Sequence, residues 1–393
     1  MRVWARRLLV FLLFLVQGFS FSELFRKLHL PYVIALILAG IIVGPFGFDI
    51  IEPDAVVVFL SSVGVLFLMF IAGSEITSKT LKETSKSIAF LALLNSVVPF
   101  FVGMGIALFF GFNIPTALIL GVTFMSSSVA VIIPSLQSQG LVNTKLGRSI
   151  ITSTVFEDFG SLLLVGFILQ AFKPQSAIPL FAYIPVVLLF IALLKIIIPR
   201  LEESYHADKT GQDLFESKLR FTFVVLLASV LLFEVLGMHA IVAGFVIGLL
   251  LSDSIQGKIR DKIRTISYGI FIPVFFFMIG VQTDLSVFVL PQSVTFTVCV
   301  VFGLVISKSV SGWVGGVISG FSKRESILIA FSTIPQLSTT LAVAYSALAF
   351  DIINVDIVAT LVILTIVTTL GSPLLIKLYN DVLREKPEKT QTS

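Results

Sequence analysis

Apolar runs long enough to cross a membrane follow one another along nearly the whole sequence. A membrane-spanning helix needs about 20 mainly apolar residues, and cutting the sequence at its charged and turn-rich clusters predicts thirteen such spans. Their approximate bounds are 5–23, 31–48, 55–76, 88–110, 114–137, 146–171, 177–198, 218–236, 239–252, 266–282, 292–318, 325–350 and 355–378. Only 13% of the residues are charged, compared with about 25% in soluble proteins. The sequence therefore predicts an all-α polytopic membrane protein.

The charged and metal-binding residue types exclude several functions. The net charge of +4 is spread without a basic patch, which argues against a nucleic-acid partner. A single cysteine, Cys299, and three scattered histidines, His29, His206 and His239, leave almost no material for a zinc or haem site or a disulfide framework. We therefore expect no bound cofactor. The apolar spans predict contact with membrane lipid, and we expect that the protein is not an enzyme.

Basic residues in the predicted loops alternate between the two sides of the membrane. Counting every second loop from the one after the first span gives 21 Lys and Arg, whereas the opposite set holds 4. Because basic loops stay on the cytoplasmic side, we expect the N-terminus outside and the C-terminus in the cytoplasm. Arg2, Arg6 and Arg7 are the exception, and they allow segment 6–22 to be a cleavable signal peptide instead. No A-x-A-like cleavage site follows it, so we expect a retained helix.

The two halves of the sequence share four short motifs in the same order. Their separations, 204 to 212 residues, are nearly constant. The matched segments are 39–44 with 243–248, 111–113 with 320–322, 125–131 with 337–343, and 158–161 with 369–372. The copies lie an odd number of predicted spans apart, so they cross the membrane in opposite directions. Inverted-topology repeats are typical of secondary transporters, whose ion sites lie near the midplane where the copies meet.

Three ionisable residues fall deep inside predicted spans: Glu157, Asp158 and Lys308. A charge at the bilayer centre costs at least about 2.5–3.5 kcal/mol, so the three must pair or contact water. A purely structural ion pair needs one acid and one base, and here a second acid remains. A carboxylate holds either a proton or a dehydrated Na⁺, but not both tightly. We therefore expect one acid to face an ion path and the other to face Lys308.

Two hydroxyl-rich segments, one in each copy, predict interrupted helices, because consecutive hydroxyls and prolines disfavour a regular helix. The candidate cation-shell residues in these segments are Ser126, Ser127 and Ser128, followed by Pro134, and Gln336, Ser338 and Thr339, preceded by Pro335. Irregular backbone at this depth is tolerated only beside protein or water. The alternative is that the hydroxyls bond only to their own helices. We interpret Asn95 and Ser96, in the fourth span, as polar groups that pack helices together.

Several segments carry a family resemblance. They are Ser-Ser-Ser-Val-Ala-Val at 126–131, Gly-Leu-Val-Asn-Thr at 140–144, Phe-Glu-Asp at 156–158, Pro-Val-Phe-Phe-Phe at 273–277 with Gly280, and Lys308 with Gly312. They resemble the monovalent cation:proton antiporter-2 family, and most of all its NapA-type Na⁺/H⁺ antiporters. The resemblance implies the NhaA/NapA-type antiporter fold: 13 transmembrane helices, two of them crossed and discontinuous, in a homodimer that works by an elevator mechanism in a prokaryotic inner membrane.

The resemblance also implies roles for residues and regions. Asp158 would bind the proton and the cation, and is the candidate Na⁺ ligand. Glu157 would occupy the first acidic position, with Lys308 as its ion-pair partner. The implied regions are scaffold and dimerisation domains at 1–84 and 201–287, a core ion-transport domain at 85–172 and 288–380, a linker helix at 173–200, and a cytoplasmic tail at 381–393.

The choice of transported cation stays open at this point. We expect electrogenic exchange of Na⁺, and also Li⁺, for H⁺, with K⁺/H⁺ exchange as the alternative. A Na⁺-coupled organic-anion symporter of related fold would need a sizeable polar cavity and would not need Lys308. Two departures from the family pattern bear on the choice. Glu157 stands where NapA-like members have Asp, and Gln336-Leu337-Ser338 stands where many relatives have Arg-Gly-Glu.

Overall fold

A computed structural model describes residues 32–51, 55–75, 85–174, 178–204, 217–237, 240–253, 255 and 257–385. The α-helices within these residues are α1 (Tyr32–Val43), α2 (Ala55–Ser74), α3 (Lys86–Phe109), α4 (Ile114–Met125), α5 (Val129–Ser138), α6 (Lys145–Phe172), α7 (Leu180–Ser204), α8 (Ser217–Val235), α9 (Ala240–Leu251), α10 (Lys258–Ile266), α11 (Ile272–Val281), α12 (Pro291–Ile318), α13 (Lys323–Ser332), α14 (Ser338–Ala349) and α15 (Val355–Glu385). A π-helical turn, Ser267–Phe271, joins α10 to α11, and a 3₁₀ turn spans Leu285–Val289.

Within the described ranges, eight helical segments have the length and composition to cross a membrane. They are Ala55–Ser74, Lys86–Phe109, Ile114–Ser138, Lys145–Phe172, Phe181–Leu201, Ile259–Val281, Pro291–Ile318 and Val355–Tyr379. Three shorter apolar helices, α1, α9 and α14, accompany them. The prediction of an all-helical, multi-pass membrane protein is confirmed. The predicted first span, 5–23, and the tail from 386 onward lie outside the described residues.

Four predicted span boundaries differ from the structure by five residues or more. Two of them are helix ends that run further than predicted: α7 ends at Ser204 and not at 198, and α15 ends at Glu385 and not at 378.

The tenth span, predicted at 266–282, has a helix that begins at Lys258, because α10 buries Ile263 and its Arg260 side chain bonds to the backbone carbonyls of Ser74 and Ser252. In the second span, predicted at 31–48, α1 ends at Val43. The chain then turns, with the Gly47 amide bonded to the Gly44 carbonyl. Cutting the sequence at charged residues leaves out the charged first part of the helix in the tenth span. The same rule includes the apolar turn that follows α1 in the second span.

The described chain divides into two compact units. Unit 1 takes in Met1–Glu83, Leu162–Val287 and Tyr345–Asp351, and unit 2 takes in Thr84–Ser161, Phe288–Ala344 and Ile352–Ser393. The division therefore falls inside two helices, α6 and α14. The division of the chain into a scaffold domain and an ion-transport domain stays a prediction.

Unit 1 is held together by close backbone contacts at glycines. Helix α1 packs against α11, and α2 packs against α9. A Cβ at Gly40 or Gly280 would collide with a carbonyl oxygen of the facing helix in the first pair, and a Cβ at Gly73 or Gly248 would do so in the second. Gly40 and Gly248 lie in the repeated motif at 39–44 and 243–248. In the aligned motif Gly40 corresponds to Gly244 and Gly44 to Gly248, and a Cβ at any of these four glycines would crowd the facing helix. The motif therefore marks close helix contacts in both halves of the sequence.

Unit 2 contains α3, α4, α5, α12, α13 and α15, with the first parts of α6 and α14. The repeated motif at 111–113 and 320–322 starts a helix in the same way in both copies. Gly111 and Gly320 have φ angles of 82° and 84°, in the left-handed region that glycine adopts most readily. Two residues later Asn113 and Ser322 accept backbone N–H bonds as N-caps of α4 and α13. These two helices lead directly to the candidate site.

Candidate functional site

Both helices that start at this motif stop inside the apolar region. After α4, residues 126–128 are extended, with φ −69° and ψ 165° at Ser126, before α5 resumes at Val129. After α13, residues 334–337 are also non-helical, and α14 begins at Ser338. Pro335 explains the second stop, because proline lacks an N–H donor and disfavours helical geometry at the residue before it.

The two interruptions bond directly to each other. The Ser128 amide donates to the Pro335 carbonyl over 2.7 Å, and the Gln336 side-chain amide donates to the Ser126 carbonyl over 2.6 Å. The Gln336 side-chain oxygen accepts from the hydroxyls of Ser126 and Thr340. Free backbone groups at membrane depth must find such partners. The two irregular segments therefore satisfy one another.

Helix α15 completes the second interruption. The backbone N–H of Gln336 donates to the Thr368 hydroxyl over 3.1 Å, and the Thr369 hydroxyl donates to the backbone carbonyl of Gln336 over 3.1 Å. Thr369 is the counterpart of Asp158 in the repeated motif 158–161 and 369–372. The second copy therefore places a neutral hydroxyl where the first copy places an acid, and that hydroxyl stabilises the break.

Glu157 and Lys308 form a fully buried ion pair beside the first interruption. Their Oε2 and Nζ atoms lie 2.9 Å apart, and both side chains have 0% exposure. The ammonium also donates to the Met125 carbonyl over 2.7 Å and to the Ser127 hydroxyl over 3.0 Å. The end of α4 thus supplies neutral oxygens to the cation. Buried pairs persist only where such additional hydrogen bonds compensate the loss of water.

Asn95, on α3, also belongs to this network, although its position in the sequence indicates only helix packing. Its side-chain amide donates to Glu157 Oε1 over 2.8 Å, and its own oxygen accepts from the Ser311 hydroxyl over 2.7 Å. Its backbone carbonyl accepts from Lys308 Nζ over 3.1 Å. No signal for this role exists in the sequence beyond a polar residue in an apolar span, because the partners lie 62 and more than 200 residues away.

Asp158 lies next to the pair along α6 but in a different environment. The Thr339 hydroxyl and the Ser127 backbone N–H face its carboxylate, while its Oδ1 is buried without a hydrogen-bond partner. The hydroxyls of Ser128 and Thr154 are also buried without a partner. Thr154 is one helical turn before Asp158, on the same face of α6. Sequence reasoning missed Thr154, although its i, i+4 spacing to the acid is a usable signal.

The match of segment 337–343 with segment 125–131 predicts that Ser338 and Thr339 lie in the second interruption. The structure places them after it. Ser126, Ser127 and Ser128 occupy the first interruption itself. Ser338 and Thr339 instead form the first turn of α14, where both are buried. Pro335 ends the helix earlier than the hydroxyls would. Of the candidate residues, Gln336 therefore lies in the second break, and Thr339 reaches the acid from the helix that follows it.

This arrangement combines one neutralised acid with one acid that has spare bonding capacity. Glu157 is occupied by a cationic partner and by donors, whereas the Oδ1 atom of Asp158 has none. Carboxylate, hydroxyl and carbonyl oxygens are the ligands that hard cations prefer. They are also groups through which a proton can be bound. The site can therefore hold either a small cation or a proton at one carboxylate, beside a network that hydrogen-bonds the other one.

Comparison of the sequence with known proteins gives consistent matches along almost the full chain. The model of the family described as "Sodium/hydrogen exchanger, transmembrane" matches residues 9–379. The probable Na⁺/H⁺ antiporter 3 of Methanocaldococcus jannaschii is 27% identical over 373 residues, which cover 94% of this chain and 95% of that protein. The Na⁺/H⁺ antiporter of Enterococcus hirae is 27% identical, and the match covers 91% of this chain and 94% of that protein.

The fold also matches a solved structure. The sodium proton antiporter MjNhaP1 of Methanocaldococcus jannaschii superimposes with a TM-score of 0.70 over 98% of this chain and 99% of that one. The sequence identity over this match is 19%. The likeness therefore concerns the arrangement of the helices.

Proposed function

Because this chain belongs to the sodium/hydrogen exchanger transmembrane family, we propose that it exchanges a monovalent cation for protons across the membrane. The family consists of transporters and not of enzymes. The cation is Na⁺, as the names of the two relatives state for those proteins, and Li⁺ is accepted as well. Asp158 is the carboxylate at which the two ions compete.

One observation carries the proposal: Asp158 Oδ1 is buried without a partner, among described side chains that are mostly hydrogen-bonded. An unpaired carboxylate oxygen in an apolar interior costs considerable free energy. Selection for stability alone would remove it or pair it. An oxygen that alternately binds a proton and a cation has to be left free by the protein. The partnerless hydroxyls of Thr154, one helical turn before Asp158, and of Ser128, in the first interruption, are further candidate ligands.

The ion pair supports a coupled, electrogenic cycle. When the cation binds at Asp158 it displaces the proton of that carboxyl group, and Lys308 leaves Glu157 and releases a second proton. When the cation leaves, Asp158 and Lys308 each take up a proton and the ion pair re-forms. Two protons then exchange for one cation, and one net charge moves across the membrane. Moving a charge through 100 mV corresponds to about 2.3 kcal/mol, so the membrane potential drives extrusion of the cation.

The larger architecture is proposed on the same basis. Thirteen helices in two inverted repeats, with the two interrupted helices crossed, surround the site. Regions 85–172 and 288–380 move as the transport domain, and regions 1–84 and 201–287 form the scaffold of a homodimer, connected by the linker helix 173–200. The chain lies in a prokaryotic inner membrane with its N-terminus outside, as the distribution of basic residues indicates. Membership of the monovalent cation:proton antiporter-2 family, and of its NapA-type subgroup, stays a prediction.

The decisive experiment compares Asp158→Asn with the wild-type protein in proteoliposomes that report a pH change when Na⁺, Li⁺ or K⁺ is added. We expect the wild type to respond to Na⁺ and Li⁺, and the variant to respond like empty vesicles, because an amide neither takes up a proton nor carries the negative charge that balances a cation. Asp356→Asn, at the start of α15, makes the same chemical change outside the site and should keep wild-type exchange.

Exchange that survives in Asp158→Asn would contradict the role of this carboxylate. A wild-type response to K⁺ alone would replace the Na⁺ assignment with K⁺/H⁺ exchange by the same residues. No cation-dependent pH change with any of the three ions would contradict exchange altogether.

A further inference from the structure

Asn95 is bonded to both members of the buried ion pair. Its side-chain amide donates to Glu157, and its backbone carbonyl accepts from Lys308, over 2.8 and 3.1 Å. Its side chain has 0% exposure. A residue that merely packs two helices needs no bond to either charge. The double contact therefore points to a role in controlling the pair.

The orientation of the Asn95 side chain is determined by Ser311. A carboxamide can present either its NH₂ or its oxygen to a neighbour. The Ser311 hydroxyl donates to the Asn95 oxygen over 2.7 Å, which turns the NH₂ group toward Glu157. Ser311 lies one turn after Lys308 on α12. The same helix thus supplies the counter-charge of Glu157 and the group that aims its neutral donor.

The other neutral donor to Glu157 is not committed in this way. The Ser127 hydroxyl lies 2.7 Å from Glu157 Oε2 and equally 2.7 Å from the Thr333 carbonyl, and its single proton serves one acceptor at a time. Ser127 can therefore turn away from Glu157 without losing its hydrogen bond. The Ser311 hydroxyl also has a second acceptor, the Lys308 carbonyl at 3.3 Å, but its contact with Asn95 is much shorter at 2.7 Å. The Asn95 NH₂ group therefore stays directed at Glu157.

We propose that Asn95 is a positioning residue that keeps Glu157 ionised through the transport cycle, and that Ser311 keeps Asn95 in the orientation this requires. An NH₂ group bonds to a carboxylate and is mismatched to the hydroxyl of a protonated acid. When Lys308 leaves, Asn95 continues to stabilise the negative charge, so the proton is directed to Asp158 and to the lysine. This inference rests on the proposed exchange function and specifies which acid takes part in it.

The charges around Glu157 define what a pH measurement would report. Lys308 faces it from α12 and Asp158 adjoins it on α6, whereas Asn95 from α3 and Ser127 from the first interruption are neutral donors. Removing the Asn95 donor leaves both charges in place. A proton then competes for Glu157 at higher pH, and the acid side of the exchange activity profile moves in the same direction.

The test measures Na⁺-dependent exchange against pH in proteoliposomes for Asn95→Ala, Ser311→Ala and the double variant. We expect Asn95→Ala to shift the acid limb upward by about one pH unit, the tenfold change expected for a hydrogen bond to a charged group. Ser311→Ala should shift it less and in the same direction. The double variant should match Asn95→Ala, because Ser311 acts through Asn95.

Ser307→Ala is the matched control. Ser307 is buried on the same helix, one turn before Ser311, and its hydroxyl bonds to the Leu304 carbonyl of its own helix. It should keep the wild-type profile. A Ser311→Ala profile equal to that of Ser307→Ala, additive shifts in the double variant, or an unmoved acid limb in Asn95→Ala would overturn the inference. In these outcomes the wild type still exchanges ions, whereas failure of the proposed function appears as a wild type without exchange.

Discussion

The two units of this protein differ in the groups that they bury where their helices meet. In unit 1, glycines at 40, 73, 248 and 280 let helices touch backbone to backbone, and the contacts are those of close apolar packing. In unit 2, a network of hydroxyls, amides and one ion pair joins α3, α6, α12 and the two interruptions. The difference shows which unit bears the free-energy cost of burying polar and charged groups. Unit 1 buries almost nothing that needs a partner at these glycine contacts, whereas unit 2 buries an ion pair that depends on its partners and an acid, Asp158, with one unpaired oxygen.

The largest effect on stability is expected when one charge of the ion pair is removed. Lys308→Gln leaves Glu157 buried without a counter-charge, and breaking a buried pair in this way costs about 3–5 kcal/mol. The loss should appear as a lower unfolding temperature in detergent. Glu157→Gln combined with Lys308→Gln should recover much of it, because no lone charge remains. A double variant less stable than Lys308→Gln would contradict the view that the pair balances itself.

The same lysine variant tests the coupling of charge movement to exchange. Lys308→Gln should retain part of the Na⁺/H⁺ exchange but with weaker dependence on an imposed membrane potential, since the lysine no longer carries a proton. The measurement is the exchange rate at several K⁺/valinomycin potentials. A voltage response equal to that of the wild type would count against the assigned role of Lys308.

A smaller loss is expected from added bulk in unit 1. Gly280→Ala places a Cβ against the Ile37 carbonyl oxygen, and the backbone there cannot move without separating α1 from α11. Overpacking of this kind costs about 1–3 kcal/mol, which thermal unfolding would show. If Gly280→Ala unfolds like the wild type, close backbone packing is not what stabilises unit 1.

The smallest effect is expected from the same substitution in unit 2, and its sign is reversed. Gly371, inside α15, has open space where a Cβ would go. Gly371→Ala should raise stability by about 0.5–1 kcal/mol, because alanine loses less backbone entropy in a helix than glycine does. It serves as the matched control for Gly280→Ala. Destabilisation by Gly371→Ala would contradict the view that the space around a glycine decides the effect of an added Cβ.

Several local features of the site were predictable because their causes are local. Three consecutive serines predicted an interruption near 126–128, and a proline predicted one near 335. Both are present. The adjacent acids at 157 and 158 necessarily point in different directions on a helix. The bonds that give each acid its environment were not predictable. Asn95 and Ser311 are ordinary polar residues in their own spans, and only the packing of α3 against α12 makes them a pair.

The sequence by itself determined that this is an all-helical membrane protein and indicated a cation/proton antiporter, because apolar length, alternating charge and residue pattern are properties of the chain in order. The tertiary structure alone decided which oxygen stays unbonded. Hydrogen bonds at membrane depth form between whatever groups the folded helices bring within about 3 Å, and that distance has no counterpart along the chain. Asp158 differs from Glu157 for this reason, although the two acids are neighbours in sequence.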